Sequence, residues 1–444
     1  MLCLILLVAC GSVAAQTTTD NTIRSLQGRL KMYPQDFKSY DALGASYIQK
    51  GRETADATYF ELAKEALEKS LDLVSSGPDA ASAKTHMAVV AMSEHQFEEA
   101  LYWAQEALAC GSGDPSPWAI VGDAYTDMGE YDRADDAYTR LRDPLHPEEE
   151  SSALAYERNS RMAYLHFLKG DASGAIRLMR SAIAVSVTLH LPAENIAWSQ
   201  YQLGEISFKS GDLAGAEKAY SAGLAVDSTS YRNLSGLAEL RTAQEKYPEA
   251  IALYQKAITV VPYPAFAAAL YDLDVHVGRL DDANKQMQLV EFIGTLNPLN
   301  ERLFYRELAL FYADHNLKLK ESIDMAKKEL DVRHDIYTWD ILAWVLFKNG
   351  NYAEAEGAAG KALALSTSDA LLDFHAAMIE QQLGRTERAQ ALFKSALALN
   401  PEFHPVYAAE ARERLRQLAA SDEHAGSTTS ANVQGPTKLG GSLE

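Results

Sequence analysis

An all-α chain of stacked helix pairs is the fold that these 444 residues predict, on three observations. First, a small residue recurs at Ala63, Ala100, Ala134, Ala175, Ala216, Ala250, Ala283, Ser322, Ala355 and Ala389, in steps of 33 to 41 residues. Second, each interval carries two stretches with apolar residues at i, i+3, i+4 and i+7, the stripe of an amphipathic helix. Third, Gly129, Gly211, Gly350 and Gly384 stand where the first helix of a unit ends. Pro262 and Pro401 follow the second helix and stop it. A single helix pair cannot bury its apolar face, so the units must stack.

The elements follow in order. Residues 1–15 are an apolar leader, with LCLILLVA at 2–9 too short to span a bilayer as a helix, which needs roughly 20 residues. Residues 16–35 hold a flanking helix, Ile23 to Tyr33, with Ile23, Leu26 and Leu30 turned to the first unit. Residues 36–402 hold ten units, with insertions expected at 143–150 and 186–195. Residues 403–420 form a capping helix whose outer face carries Arg412, Glu413, Arg414 and Arg416, as a solenoid end in water requires. Residues 421–444 turn to Ser, Thr, Gly and Asn, a composition that predicts a disordered tail.

The units themselves read alike. One runs Trp118, Val121-Gly122, Tyr125, Gly129, Tyr131, Ala134, Tyr138; another runs Leu203-Gly204, Gly211, Ala216, Tyr220, Leu224. The Trp339, Leu342-Ala343, Gly350, Tyr352, Ala355, Ala362 unit repeats the pattern. This resembles the tetratricopeptide repeat family, whose 34-residue signature runs W-x2-L-G-x2-Y, A-x3-F, P. The resemblance implies a right-handed α–α superhelical solenoid of about ten tetratricopeptide-like pairs. Leu7-Val8-Ala9-Cys10-Gly11-Ser12 resembles the lipobox of bacterial lipoproteins, which implies export and a lipid on Cys10. Simple cleavage after Val13-Ala14-Ala15, which gives a secreted chain, and a cytosolic chain with an apolar start are the alternatives.

Composition narrows the function. The net charge of −20 repels phosphates and anionic lipid, so a nucleic-acid partner is not expected. Three cysteines exclude a disulfide framework and Cys-rich metal sites. Gly111-Ser-Gly113 lacks a following phosphate-loop motif, and His95-Gln-Phe-Glu98 has metal-pair spacing without a third ligand. Neither a cofactor nor a metal is expected. Asp340 and His375, 35 residues apart, should face each other across neighbouring first helices. They form a packing pair, a ligand contact, or the centre of an enzyme hidden in the solenoid.

In the tetratricopeptide family the first helix of each unit lines the inner groove. Carried over, that places Asp123, Asp127, Tyr164, Phe167, Trp198, Tyr201, Glu205, Phe208, Tyr337, Asp340, Trp344, Phe347 and Phe374 there, joined by Glu239, Asp272 and Met378. Some of these aromatics are expected to pack between helices instead. Family members that grip C-terminal carboxylates use Lys, Asn and Arg at these positions, which here are acidic, aromatic or small. The expected role is therefore a non-enzymatic scaffold in the cell envelope, periplasmic or anchored, that binds a protein or peptide with apolar and basic side chains. Assembly of a secretion, pilus or outer-membrane complex is the rival role, and a structural or sensor arm another.

Overall fold

The computed structural model describes residues 18–142, 152–295 and 303–431. The leader with Cys10 and the 143–150 insertion lie outside the described residues. Regular structure among the described residues is entirely helical. A flanking helix, Thr18–Met32, precedes ten helix pairs. The pairs are Phe37–Thr54 with Thr58–Leu73, Ala81–Ser93 with Phe97–Ala109, Pro117–Asp127 with Tyr131–Thr139, Ala153–Leu168 with Ala172–Thr188, and Ala193–Lys209 with Leu213–Val226. Then come Tyr231–Ala243 with Tyr247–Val260, Pro264–His276 with Leu280–Thr295, Tyr305–Asp314 with Leu319–Leu330, Ile336–Lys348 with Tyr352–Ala362, and Ala370–Gln382 with Thr386–Leu399. All ten recurring small residues are at most 2% exposed, which fixes them as the points of closest helix approach. Gly122 and Gly204 show why: a Cβ at either would run into the ring of Tyr138 or Tyr220 on the second helix of the pair.

Turns between paired helices use a left-handed residue. Gly129, Gly211, Gly350 and Gly384 have φ of +74° to +85°. His95, Glu245 and Asn316 take the same role in other pairs at +53° to +59°. His95 thus belongs to a turn, the alternative to a metal ligand. The 186–195 insertion becomes length rather than loop: the helices on either side reach Thr188 and resume at Ala193, each 17 residues long. The last helix runs from Tyr407 to Ala431, past Ser421 where the composition changes.

The chain divides into two compact units after Arg161. In the first, Ile23 and Leu30 of the flanking helix join Leu43, Tyr47, Ala63 and Leu67 in one core. Asp36 caps the first pair by accepting from the Ser39 amide. Asp123 accepts from Tyr138 Oη at 2.9 Å and from Arg161 Nε at 2.9 and 3.0 Å.

In the second unit the helix stack turns far enough to meet itself. Asn400 Nδ2 donates to the Phe208 carbonyl at 2.8 Å, and Ser368 Oγ to the Gly170 carbonyl at 3.3 Å. Thr367 Oγ1 donates to the Leu168 carbonyl. Gly211 lies so close to the Leu399 carbonyl that a side chain there would collide with backbone. The fourth and fifth pairs are thereby fastened to the ninth and tenth.

Candidate binding chamber

The first helices of the fifth, sixth and seventh pairs build the site. Glu205, Glu239 and Asp272 each stand eleven residues before the recurring small residue, so one repeat translates each onto the next. They border a cavity of about 260 Å³ inside the second unit. Its walls are Tyr201, Tyr254, Phe266 and Leu273, with Gly236 and Ala269 leaving room between them. His276 closes one side, and His404, Pro405 and Val406 come in from the segment before the last helix.

Electrostatics of the chamber are uneven. Glu205 accepts from Tyr220 Oη at 2.6 Å. Asp272 lies 3.2 Å from His315 Nε2. Glu239 makes no hydrogen bond or ion pair among the described residues. Lys209, whose charge acts on Glu239, is bonded elsewhere: its Nζ is 2.8 Å from Asp369 Oδ2 and 3.3 Å from Tyr337 Oη. Burial opposes the Lys209 charge, but Asp369 and Tyr337 override it and hold the pKa well above the usual lysine value. Burial, then the neighbouring Glu205 charge, pushes the Glu239 carboxyl up to about 8. Burial, then Asp314, raises Asp272 to about 7. Burial drives the His404 imidazole down to about 4. Its Nδ1 accepts from the Val406 and Tyr407 amides, consistent with a neutral ring.

Of the residues expected in an inner groove, Tyr201 and Glu205 line this cavity, as do Glu239 and Asp272. Tyr164 and Trp198 are half-buried on their first helices. Asp123 and Asp127, also half-buried, lie in the first unit. Tyr337 is bound to Asp369 and Lys209. Phe167 and Phe208 are buried, both 4% exposed or less. Phe208 packs with Ala216 and Tyr220 of its partner helix. Trp344, Phe374 and Met378 are also buried. Here the chain fills its own inner face. Phe403 and Tyr407 lie 5.7 and 4.9 Å from the Phe374 ring, and Tyr407 meets Trp344 edge-on at 5.6 Å. Trp344 Nε1 and Tyr407 Oη both donate to Asp314. Phe347 stacks on Trp344 at 5.0 Å.

Asp340 and His375 do meet. His375 Nδ1 lies 2.9 and 3.0 Å from the two Asp340 oxygens, and the ring stacks on Trp344 at 4.2 Å. His375 is 1% exposed, so the pair joins helices inside the core. No group of three or more His, Cys, Asp or Glu side chains among the described residues is arranged to hold a metal ion.

A sequence profile described as the tetratricopeptide repeat matches residues 48–115, 201–265 and 341–402. No curated protein matches the chain at a significant level. Yeast Tom70 is 15% identical over 92% of this chain and 93% of its own, with a TM-score of 0.38. A tetratricopeptide repeat protein from Parabacteroides merdae is 18% identical over 60% of this chain and 99% of its own, with a TM-score of 0.33. PilW, a type IV pilus biogenesis factor, is 15% identical over 50% of this chain and 98% of its own, with a TM-score of 0.39.

Proposed function

We propose that this chain, built of tetratricopeptide repeats, is a non-catalytic scaffold that holds a partner protein on the inner face of its solenoid. The observation that carries this reading is the run of Tyr201, Glu205, Glu239 and Asp272 along three consecutive first helices, set around a cavity instead of packed away. Solenoids present such surfaces for partner binding. The acidic lining favours a basic segment through complementary charge. Asp340 and His375, the pair on which an enzyme reading would rest, are buried side by side, which suits a packing role.

The same proposal places the chain in the cell envelope, tethered by lipid on Cys10. Its support is the Leu7-Val8-Ala9-Cys10 sequence. No helix among the described residues is long and apolar enough to cross a membrane. Service to an envelope assembly is a narrower form of this role, marked by one stable membrane-complex partner.

Two measurements test it. Intact mass and fractionation of the chain expressed in a bacterial host, beside Cys10→Ala, test the tether. A chain starting at Cys10 with acyl groups, lost in the variant, is the expected result; a soluble chain starting at Gln16 or Met1 refutes it. Affinity capture with the wild type and with Tyr201→Ala tests the inner face. Unchanged capture by a folded Tyr201→Ala protein refutes the binding surface.

A further inference from the structure

The cavity between the fifth and seventh pairs has more specific chemistry than a general docking face. We infer that it is a binding site for one organic monocation, an ammonium or guanidinium head on a short apolar stem, with Glu239 as the counter-ion. This deepens the scaffold reading and rests on it only for the source of the cation.

Four features converge. At about 260 Å³ the cavity is smaller than the roughly 300–1,000 Å³ of drug-sized sites, and suits a group of side-chain size. Its walls are rings and aliphatic groups, Tyr201, Tyr254, Phe266 and Leu273, which suit an apolar stem and whose ring faces attract a cation. Three carboxyl groups border it, and the two with partners are Glu205 and Asp272. Glu239 is left over, because Asp369 and Tyr337 hold the lysine that would otherwise neutralise it. A divalent metal is the weaker occupant, since no trio of carboxyl and imidazole groups among the described residues converges on one point.

The groups facing Glu239 determine the pH behaviour. They are Tyr201, Glu205 and Lys209 on the fifth pair's first helix, Tyr220 on its second, Tyr254 on the sixth pair, Asp272 and His276 on the seventh, Asp369 before the tenth, and His404 from the final segment. With the cavity empty, burial and the Glu205 charge keep Glu239 protonated near neutrality. An entering cation reverses that preference, so the Glu239 carboxyl proton leaves to solvent as the ion pair forms.

The test is calorimetric titration of the full chain with n-butylamine, a monocation at pH 7, with N-acetyl-lysine amide and with N-acetyl-norleucine amide as the uncharged control. Saturable binding of a cationic probe and none of norleucine is expected. Paired buffers of different ionisation enthalpy should register close to one proton released at pH 7. Affinity should rise about tenfold per pH unit below pH 8 at the steepest. Glu239→Gln should lower affinity at least tenfold and abolish the proton release, while the unfolding midpoint is retained or raised. Tyr254→Leu provides a second variant that weakens binding without touching charge. Tighter binding of n-butylamine assigns the site to a free amine, and tighter binding of the lysine amide assigns it to a partner's side chain. Failure of both cations to bind, equal binding of norleucine, or an unaffected Glu239→Gln protein overturns the inference. Partner capture on Tyr201→Ala remains a separate readout, so the site can fail while the scaffold reading stands.

Discussion

Lys209 and Asp369 form an ion pair of 2.8 Å across 160 residues of sequence, and Tyr337 joins both. The pair ties the end of the fifth pair's first helix to the start of the tenth pair, where Asp369 also caps by accepting from the Leu371 amide. Asp369 is buried while Lys209 keeps part of its surface in water. Removing one partner strands the other charge, which costs about 3–5 kcal/mol for a fully buried pair. Partial exposure of Lys209 reduces that, and Asp369→Asn should cost about 2–3 kcal/mol in urea unfolding. Lys209→Met with Asp369→Leu should lose less than the sum of the two single changes. Hydrogen exchange should quicken at residues 366–370 and 168–170 in the single variants. Unchanged exchange there would mean that the pair does not fasten the turn.

Stability of the second unit should fall most clearly between pH 6.5 and pH 8, because the buried His404 imidazole, lowered to about 4, offsets part of the decline at lower pH. Glu239 and Asp272 have folded-state pKa values raised to about 8 and about 7. In that window the folded protein holds protons that the unfolded chain, with ordinary carboxyl values near 4, has released. Unfolding free energy then declines with pH, by at most about 1.4 kcal/mol per pH unit for each such group. Asp369 works in the opposite direction: its lowered pKa contributes stability above about pH 4, lost as pH falls further. Glu239→Gln should flatten the decline between pH 6.5 and pH 8. Urea titrations at pH 5, 6.5 and 8 measure it, and an equal slope in the variant would contradict the assignment.

The repeat was legible because helix contact depends on a residue at a fixed place: Ala134 or Ala216 must be small wherever two helices touch. The inner face was legible only in part. Glu205 and Trp344 share the same position, eleven residues before Ala216 and Ala355, yet one borders a cavity and the other is core. The difference lies in Phe403 and Tyr407, which cover the inner side of the last pairs. A repeat period specifies what neighbouring units do. It carries no signal for a segment that folds back, or for Asn400 reaching the Phe208 carbonyl after a full turn of the stack. Asp340 and His375 were legible because they belong to adjacent units.

Glycines in helices should respond in opposite directions. A Cβ at Gly204 meets the Tyr220 ring, whereas nothing lies within 4 Å of one at Gly357 or Gly360. Gly204→Ala should cost about 1–3 kcal/mol by overpacking, and Tyr220→Leu in the same chain should recover part of it. Gly360→Ala should stabilise by about 0.5–1 kcal/mol, because the helix Tyr352–Ala362 loses less backbone entropy on folding. Thermal and urea midpoints of the two variants settle the contrast, and a destabilised Gly360→Ala would show that the open side of that helix is occupied.

His375 provides the sharpest separation of structure from function. Its Nδ1 is satisfied by Asp340, its ring is stacked on Trp344, and its Nε2 is buried without a hydrogen-bond partner. Leaving one ring nitrogen unpaired is unfavourable, so the site gains from packing more than from polarity. His375→Ala opens space beside Trp344 and leaves Asp340 buried alone, and should cost about 3 kcal/mol or more. His375→Leu with Asp340→Leu removes both polar groups and fills the volume, and should recover most of that loss, as apolar replacements of buried pairs often do. Partner capture by the folded double variant should equal the wild type. Loss of capture in a double variant that melts like the wild type would return the pair to the functional surface.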